Sequence, residues 1–71
     1  MPETIDTRGL SCPEPVILVK RAIDRGRFPI EVTADSQTAK ENVTRMAIHS
    51  GCSVTCETQG GTFLLRIDRG V

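Results

Sequence analysis

The hexapeptide PIEVTA, residues 29–34, alternates apolar and polar side chains along its whole length. Ile30, Val32 and Ala34 fall on one face, and Glu31 and Thr33 fall on the other. A period of two residues is typical of a half-buried β-strand. The pattern therefore predicts a strand with one face in a core and the other in water.

Helical periodicity replaces this alternation on the N-terminal side of the strand. Residues 13–25 carry an apolar stripe, and Gly26 follows where a left-handed residue commonly ends a helix. This segment predicts a helix that covers the apolar face of the sheet. Its apolar positions are Val16, Ile17, Leu18, Val19, Ala22 and Ile23.

A second helix is predicted on the C-terminal side of the strand, after a loop at residues 35–37. Thr38 and Glu41 fit a capping box, in which each side chain satisfies an unpaired backbone N–H. Helical spacing continues to Ser50, and Gly51 ends the segment. The inward positions are Ala39, Val43, Met46 and Ala47.

Three further strands complete the prediction, at residues 3–8, 52–58 and 62–68, with a glycine hairpin turn between the last two. The order is β-α-β-α-β-β. Each strand has one polar face, so both helices should lie on one face of a mixed four-stranded sheet. We therefore expect one domain over residues 1–71 with an α/β (α+β) two-layer sandwich fold.

Composition limits the classes of function. The chain has 71 residues, a formal net charge of +0, no Trp or Tyr, and only Phe28 and Phe63 as aromatics. Neither charge nor stacking surface favours direct binding of nucleic acid. No segment predicts a signal peptide or a membrane span. Three cysteines without a secretory signal indicate free thiols in a reducing cytoplasm.

The stretch LSCPEP, residues 10–15, places Cys12 directly before two prolines. Pro13 disfavours the α region for Cys12 and is itself favoured at the first helical position, so Cys12 is predicted to be the N-cap of the first helix. A helix N-terminus lowers the pKa of a thiol. Pro15 and Glu14 weaken that effect, which predicts a moderately activated nucleophile. The alternative is a cysteine that only caps the helix, although Ser, Thr, Asp and Asn cap better.

The decapeptide DTRGLSCPEP, residues 6–15, resembles the D-x-R-G-x-x-C-P-x-P signature of the TusA/SirA/YedF family of small sulfur-carrier proteins. The resemblance covers the chain, and residues 41–55 look most like the YedF branch. It implies a TusA-like domain in which Cys12 relays a persulfide sulfur from a donor such as a cysteine desulfurase to an acceptor protein. The supporting motif residues would be Asp6, Arg8, Gly9, Pro13, Glu14 and Pro15.

This interpretation predicts a covalent sulfur relay more than an autonomous enzyme, with no cofactor and no metal. No general acid–base set accompanies Cys12 in the sequence. One alternative is a thiol redox or selenium-handling protein that uses the same thiol, although a C-x-x-C resolving partner is absent. The other alternative is a non-catalytic regulatory interaction module.

Other chemically active residues have structural explanations of their own. Cys52 and Cys56 are four apart on a strand, roughly 13 Å, and cannot share a metal ion or a disulfide. Both are predicted to be buried, and His49 should lie at the opposite edge from Cys12. Arg8 would add positive potential near Cys12, or form only an exposed pair with Asp6. A basic first helix presents either a solvated face or a docking surface for an acidic partner, through Lys20, Arg21, Arg25 and Arg27.

Overall fold

A computed structural model describes residues 3–10 and 13–70 of the chain. The order β-α-β-α-β-β is confirmed. The elements are β1 (Glu3–Asp6), α1 (Glu14–Arg25), β2 (Ile30–Ala34), α2 (Gln37–His49), β3 (Cys52–Gln59) and β4 (Thr62–Arg69).

The four strands form one mixed sheet in the order β1-β2-β4-β3. β1 runs parallel to β2, whereas β4 is antiparallel to both β2 and β3. The parallel pair is joined through α1, as expected for a β-α-β crossover. Consequently β1 and β3 are the two edge strands, and the carboxyl ends of β1 and β2 lie side by side.

Both helices pack against each other and against the same face of the sheet. The alternation of residues 29–34 is reproduced in three dimensions, since Ile30, Val32 and Ala34 are fully buried. Leu65 and Ile67 of β4 lie opposite Val32 and Ile30 in the register and complete the centre of the core. Val19, Ala22, Val43 and Ala47 cover them from the helices.

The second helix begins earlier than the sequence predicts. Ser36 is its N-cap, with an extended backbone, and its Oγ accepts a hydrogen bond of 3.1 Å from the Ala39 N–H. The capping box at Thr38 and Glu41 is therefore wrong. Glu41 instead accepts a hydrogen bond from the Gln37 side chain. Ser and Thr are both good caps, and the extended geometry of Ser36 determines which of them is used.

The hairpin between β3 and β4 turns at Gly60 and Gly61, whose φ angles are 50° and 88°. A two-residue turn with positive φ at both positions matches the right-handed twist of the strands, and glycine adopts it without steric cost. The predicted glycine turn is thus confirmed. The Thr62 hydroxyl donates a 2.8 Å hydrogen bond to the Gln59 carbonyl across it.

The predicted burial of Cys56 is wrong, because this side chain is exposed. Cys56 does lie opposite the buried Leu65, so the predicted face is correct. However, β3 is an edge strand, and its residues from Thr55 to Gln59 are all exposed. Cys52, at the start of the strand, is half-buried and packs against the core.

None of the helices in the described part of the chain is long and apolar enough to cross a membrane.

Candidate functional site

The candidate site lies where the parallel strands end and the helices begin. Asp6 ends β1 and Glu14 begins α1, while Ala34 ends β2 and Gln37 begins α2. The predicted thiol, Cys12, lies outside the described residues together with Ser11. The described geometry of the site is therefore that of the surrounding motif residues.

Thr7 joins the start of the loop that follows β1 to strand β2 through hydrogen bonds. It is 1 % exposed, its hydroxyl donates a 2.6 Å hydrogen bond to the Thr33 carbonyl, and its N–H donates to the same oxygen at 2.8 Å. Its own carbonyl accepts from the Leu10 N–H at 3.2 Å. Sequence reasoning missed this residue. The sequence did contain a signal for its burial, because Thr7 continues the alternation in which Glu3 and Ile5 face inward.

Gly9 provides a second attachment between the loop and β2. Its N–H donates a 3.0 Å hydrogen bond to Oδ2 of Asp35, which directly follows β2. Its φ of 79° lies in the left-handed region, where a side chain would be strained. The motif glycine is thus required by the backbone conformation, and Asp35 is the partner that the motif alone does not identify.

Asp6 and Arg8 form a close ion pair on the surface beside this loop. The Arg8 guanidinium donates to both carboxylate oxygens, at 3.0 Å and 2.8 Å, and the Arg8 backbone N–H donates to Oδ1 at 3.0 Å. Both side chains are more than half exposed. The Asp6 carboxylate balances the Arg8 charge, so Arg8 supplies less positive potential than expected, and Asp6 holds the loop.

The same hydrogen bonds shift the ionisation of both partners. The Arg8 side chain, then its backbone N–H, lowers the pKa of Asp6 from 3.8 to about 2. The Asp6 carboxylate in turn raises the pKa of Arg8. Because the folded pKa of Asp6 is depressed, the pair stabilises the loop fully above pH 3.8. That contribution is lost as the pH falls through about 2.

We expect Arg8→Gln to raise the pKa of the Asp6 carboxyl from about 2 toward 3.8. The variant removes the charged donor, while the backbone N–H at residue 8 remains. An NMR titration of the side-chain carboxyl carbons measures the shift directly. Arg45→Gln is the control, since Arg45 is exposed on α2. An unchanged Asp6 midpoint in Arg8→Gln would contradict the assigned cause.

The start of α1 differs from the prediction by one residue. Pro13 is the N-cap, with φ −101° and ψ 17°, and its carbonyl accepts from the Ile17 N–H at 3.1 Å. Cys12 therefore precedes the N-cap. Glu14 is the first helical residue, and Pro15 is the second and is buried. The two prolines remove two of the four N–H groups that a helix start leaves unpaired, so few donors face an anion there.

A narrow crevice of about 40 Å³ separates the starts of the two helices. Leu10, directly before the undescribed pair, and Pro15, in the first turn of α1, both line it, as does Ser36, the N-cap of α2. Its remaining walls are Val16, Ala39 and Asn42. The crevice therefore lies between the loop after β1 and the starts of both helices.

The His49 imidazole and the Cys52 thiol lie away from this edge of the sheet. His49 ends α2 and is exposed at the opposite edge, as predicted, and Cys52 begins β3 three residues later. Within residues 3–10 and 13–70, no group of three or more His, Cys, Asp or Glu side chains could hold a metal ion.

We expect Cys56 to react with iodoacetamide several times faster than Cys52 in a Cys12→Ser background. Thiol reactivity follows exposure, and only Cys56 of this pair is exposed. Brief labelling of the native protein followed by peptide mass mapping gives both rates. In urea the two rates should converge, which controls for sequence effects. Faster labelling of Cys52 in the native protein would overturn the assignment of β3 as an open edge strand.

Comparison with known proteins places these features in a family. A family model described as sulfurtransferase TusA matches residues 3–69. Among solved structures, a SirA-like protein from Desulfitobacterium hafniense is similar over 100 % of both chains, with 29 % identity and a TM-score of 0.84. A search of curated proteins finds no significant match.

Proposed function

Because the chain belongs to the TusA sulfurtransferase family, we propose that it is a sulfur carrier in which Cys12 holds a persulfide. The family assignment supports sulfur relay between proteins in general. The choice of Cys12 rests on its place in the motif of residues 6–15. Cys52 packs against the core and Cys56 lies on a distant edge strand, so neither has the setting of that motif.

The reaction is a pair of thiol exchanges with no net oxidation. The Cys12 thiolate attacks the outer sulfur of a donor persulfide, and the S–S bond of the donor breaks. The donor cysteine leaves as a thiolate, while Cys12 carries the sulfur as –SSH. An acceptor thiolate then attacks the outer sulfur, and Cys12 leaves as a thiolate. Each step requires an accessible sulfur of moderate pKa.

The observation that carries the proposal is the attachment of the loop that leads to Cys12. Thr7 and Gly9 are both hydrogen-bonded to the end of β2, and the Asp6–Arg8 pair fixes the turn between them. These contacts hold residues 7–9 of the motif against the sheet, which supports a positioning role for the motif. A sulfur carrier needs such positioning because its thiol must meet two different proteins in turn.

Each supporting motif residue has a proposed role in this arrangement. Asp6, Arg8 and Gly9 hold the loop, and Pro13 sets the entry to α1. Glu14 and Pro15 limit the stabilisation of an anion, since one adds negative charge and the other lacks an N–H. We expect a moderately activated thiol, which favours release as well as capture.

The proposed partners are a sulfur donor such as a cysteine desulfurase and a downstream acceptor protein. We propose that residues 1–71 act as a single TusA-like domain in the cytoplasm, without metal or organic cofactor. The test is incubation with a cysteine desulfurase and cysteine, followed by intact mass and peptide mapping. Addition of one sulfur atom to the peptide that contains Cys12 is the expected result.

A further inference from the structure

Within the part of the chain that the structure describes, no strand pairs with the outer edge of β1, which lies beside a groove. The Glu3 N–H donates to the Pro29 carbonyl and the Thr7 N–H donates to the Thr33 carbonyl. In a parallel ladder alternate residues face the neighbouring strand, so Thr4 and Asp6 direct their N–H and C=O groups away from β2. Such an edge is a template for one more strand.

Helix α1 forms the other wall of this groove, which measures about 340 Å³. Ile5, Leu18 and Ala22 provide an apolar surface, and Arg21 and Arg25 stand on the helix side. A second, smaller depression of about 230 Å³ continues the surface along α1. Arg21, Leu18 and Ile17, which is 44 % exposed, line it, and Glu14 lies at its far end. An extended segment at the β1 edge would therefore meet both apolar contacts and cations.

The charges of the groove leave one cation uncompensated. Arg25 lies 3.8 Å from Glu3, and Asp6 is occupied by Arg8. Lys20, on the next face of α1, is paired with Asp24 at 2.6 Å. Among the described residues, no ion pair or hydrogen bond involves Arg21, although it lines both depressions. The groove thus favours a ligand that brings a carboxylate to Arg21.

We propose that an extended acidic segment of a partner protein adds to the edge of β1 as a fifth strand, with a carboxylate on Arg21. Main-chain hydrogen bonds to Thr4 and Asp6 would give affinity, and the side chains that face α1 would give selectivity. The preferred segment alternates carboxylate and aliphatic residues on that face. This docking mode stands independently of sulfur transfer.

The charge distribution also argues against self-association through this edge. Two copies paired β1 to β1 would bring their Arg21 side chains to the same interface, and the carboxylates of the groove, Glu3 and Asp6, already pair with Arg25 and Arg8. Like charges across an interface oppose association. A partner with carboxylates removes that repulsion, which is why the occupant is assigned as a different protein.

The test uses the full chain and the probe acetyl-Thr-Glu-Thr-Leu-Thr-Glu-Thr-amide, followed by amide NMR. We expect the Thr4 and Asp6 amides to shift and to exchange more slowly with solvent, while the Thr7 amide stays bonded to Thr33. Arg21→Glu should weaken binding about tenfold or more, because a charge-assisted hydrogen bond is replaced by repulsion. The matched control, Arg45→Glu, makes the same charge change on α2 and should alter affinity less than about twofold.

Two further experiments distinguish the proposed acidic segment from other occupants of the β1 edge. The lysine counterpart of the probe should bind at least about tenfold more weakly, since it meets Arg21 with like charge. Thr4→Pro removes one outward N–H but no bond of the β1–β2 ladder, and it should also weaken the probe. No shift at Thr4 and Asp6 with millimolar probe, equal binding of both peptides, or the same shifts on raising protein concentration alone would each overturn the proposal. Every readout is independent of Cys12 chemistry, so failure here leaves the sulfur-carrier proposal intact.

Discussion

The Cys12→Ser variant is expected to gain no sulfur from a cysteine desulfurase that loads the wild-type protein. Serine is close to cysteine in size and shape but lacks the sulfur nucleophile on which persulfide formation depends. We expect the variant to fold, and circular dichroism checks this. Intact mass after incubation measures the loss, which should be complete.

Cys52→Ser and Cys56→Ser are the matched controls for that experiment. Cys56 is exposed and should tolerate the change, whereas Cys52 packs against the core and should lose some stability. Both should still load one sulfur atom if they fold, as judged by circular dichroism. Equal loading of wild type and Cys12→Ser would refute the assignment of the carrier thiol.

The sequence was sufficient to predict the fold because local signals agreed with the global arrangement. The alternation of residues 29–34 identified the central strand, and the helical stripes on either side required a covering layer on one face. The glycines at positions 60 and 61 specified the hairpin turn. The parallel β1–β2 pair and the β3–β4 hairpin followed from the crossover rule and the glycine turn, whereas the position of β4 beside β2 comes from the structure alone.

The errors arose where the sequence pattern does not contain the deciding information. Period-two alternation assigned Cys56 to the correct face, but only the position of the helices above an edge strand decides whether that face is covered. The N-cap of α2 was similarly ambiguous, since Ser36 and Thr38 are both good caps. The backbone geometry of the loop after β2 selects Ser36.

The sequence identified the motif residues of the candidate site but not the hydrogen bonds that join them to the rest of the fold. Asp6 and Arg8 share a face by alternation, and the structure joins them. The attachment of Gly9 to Asp35 spans 26 positions in the chain and depends on the adjacent ends of two parallel strands. Such contacts follow only after the topology is established, which is why the motif alone did not identify Asp35.

Truncation of a leucine in β4 should lower the free energy of unfolding by an amount that depends on which face of the sheet the leucine occupies. Leu65 is fully buried between Val32 of β2 and the helices. The adjacent Leu64 faces the opposite side of the sheet, opposite Thr33 and Glu57, and is half-buried. The two leucines differ in environment but are identical in chemistry, so each truncation controls for the other.

We expect Leu65→Ala to lower the free energy of unfolding by about 2–5 kcal/mol, and Leu64→Ala by about 1 kcal/mol or less. A chain of 71 residues has a total stability of roughly 4–11 kcal/mol, so the first change removes a large share. Urea unfolding followed by circular dichroism measures both values. A Leu65→Ala protein that is already partly unfolded without urea would also agree with the expected loss. Similar losses for the two variants would mean that the helices do not define a single buried face. The two-layer arrangement, with one sheet face open to water, would then be wrong.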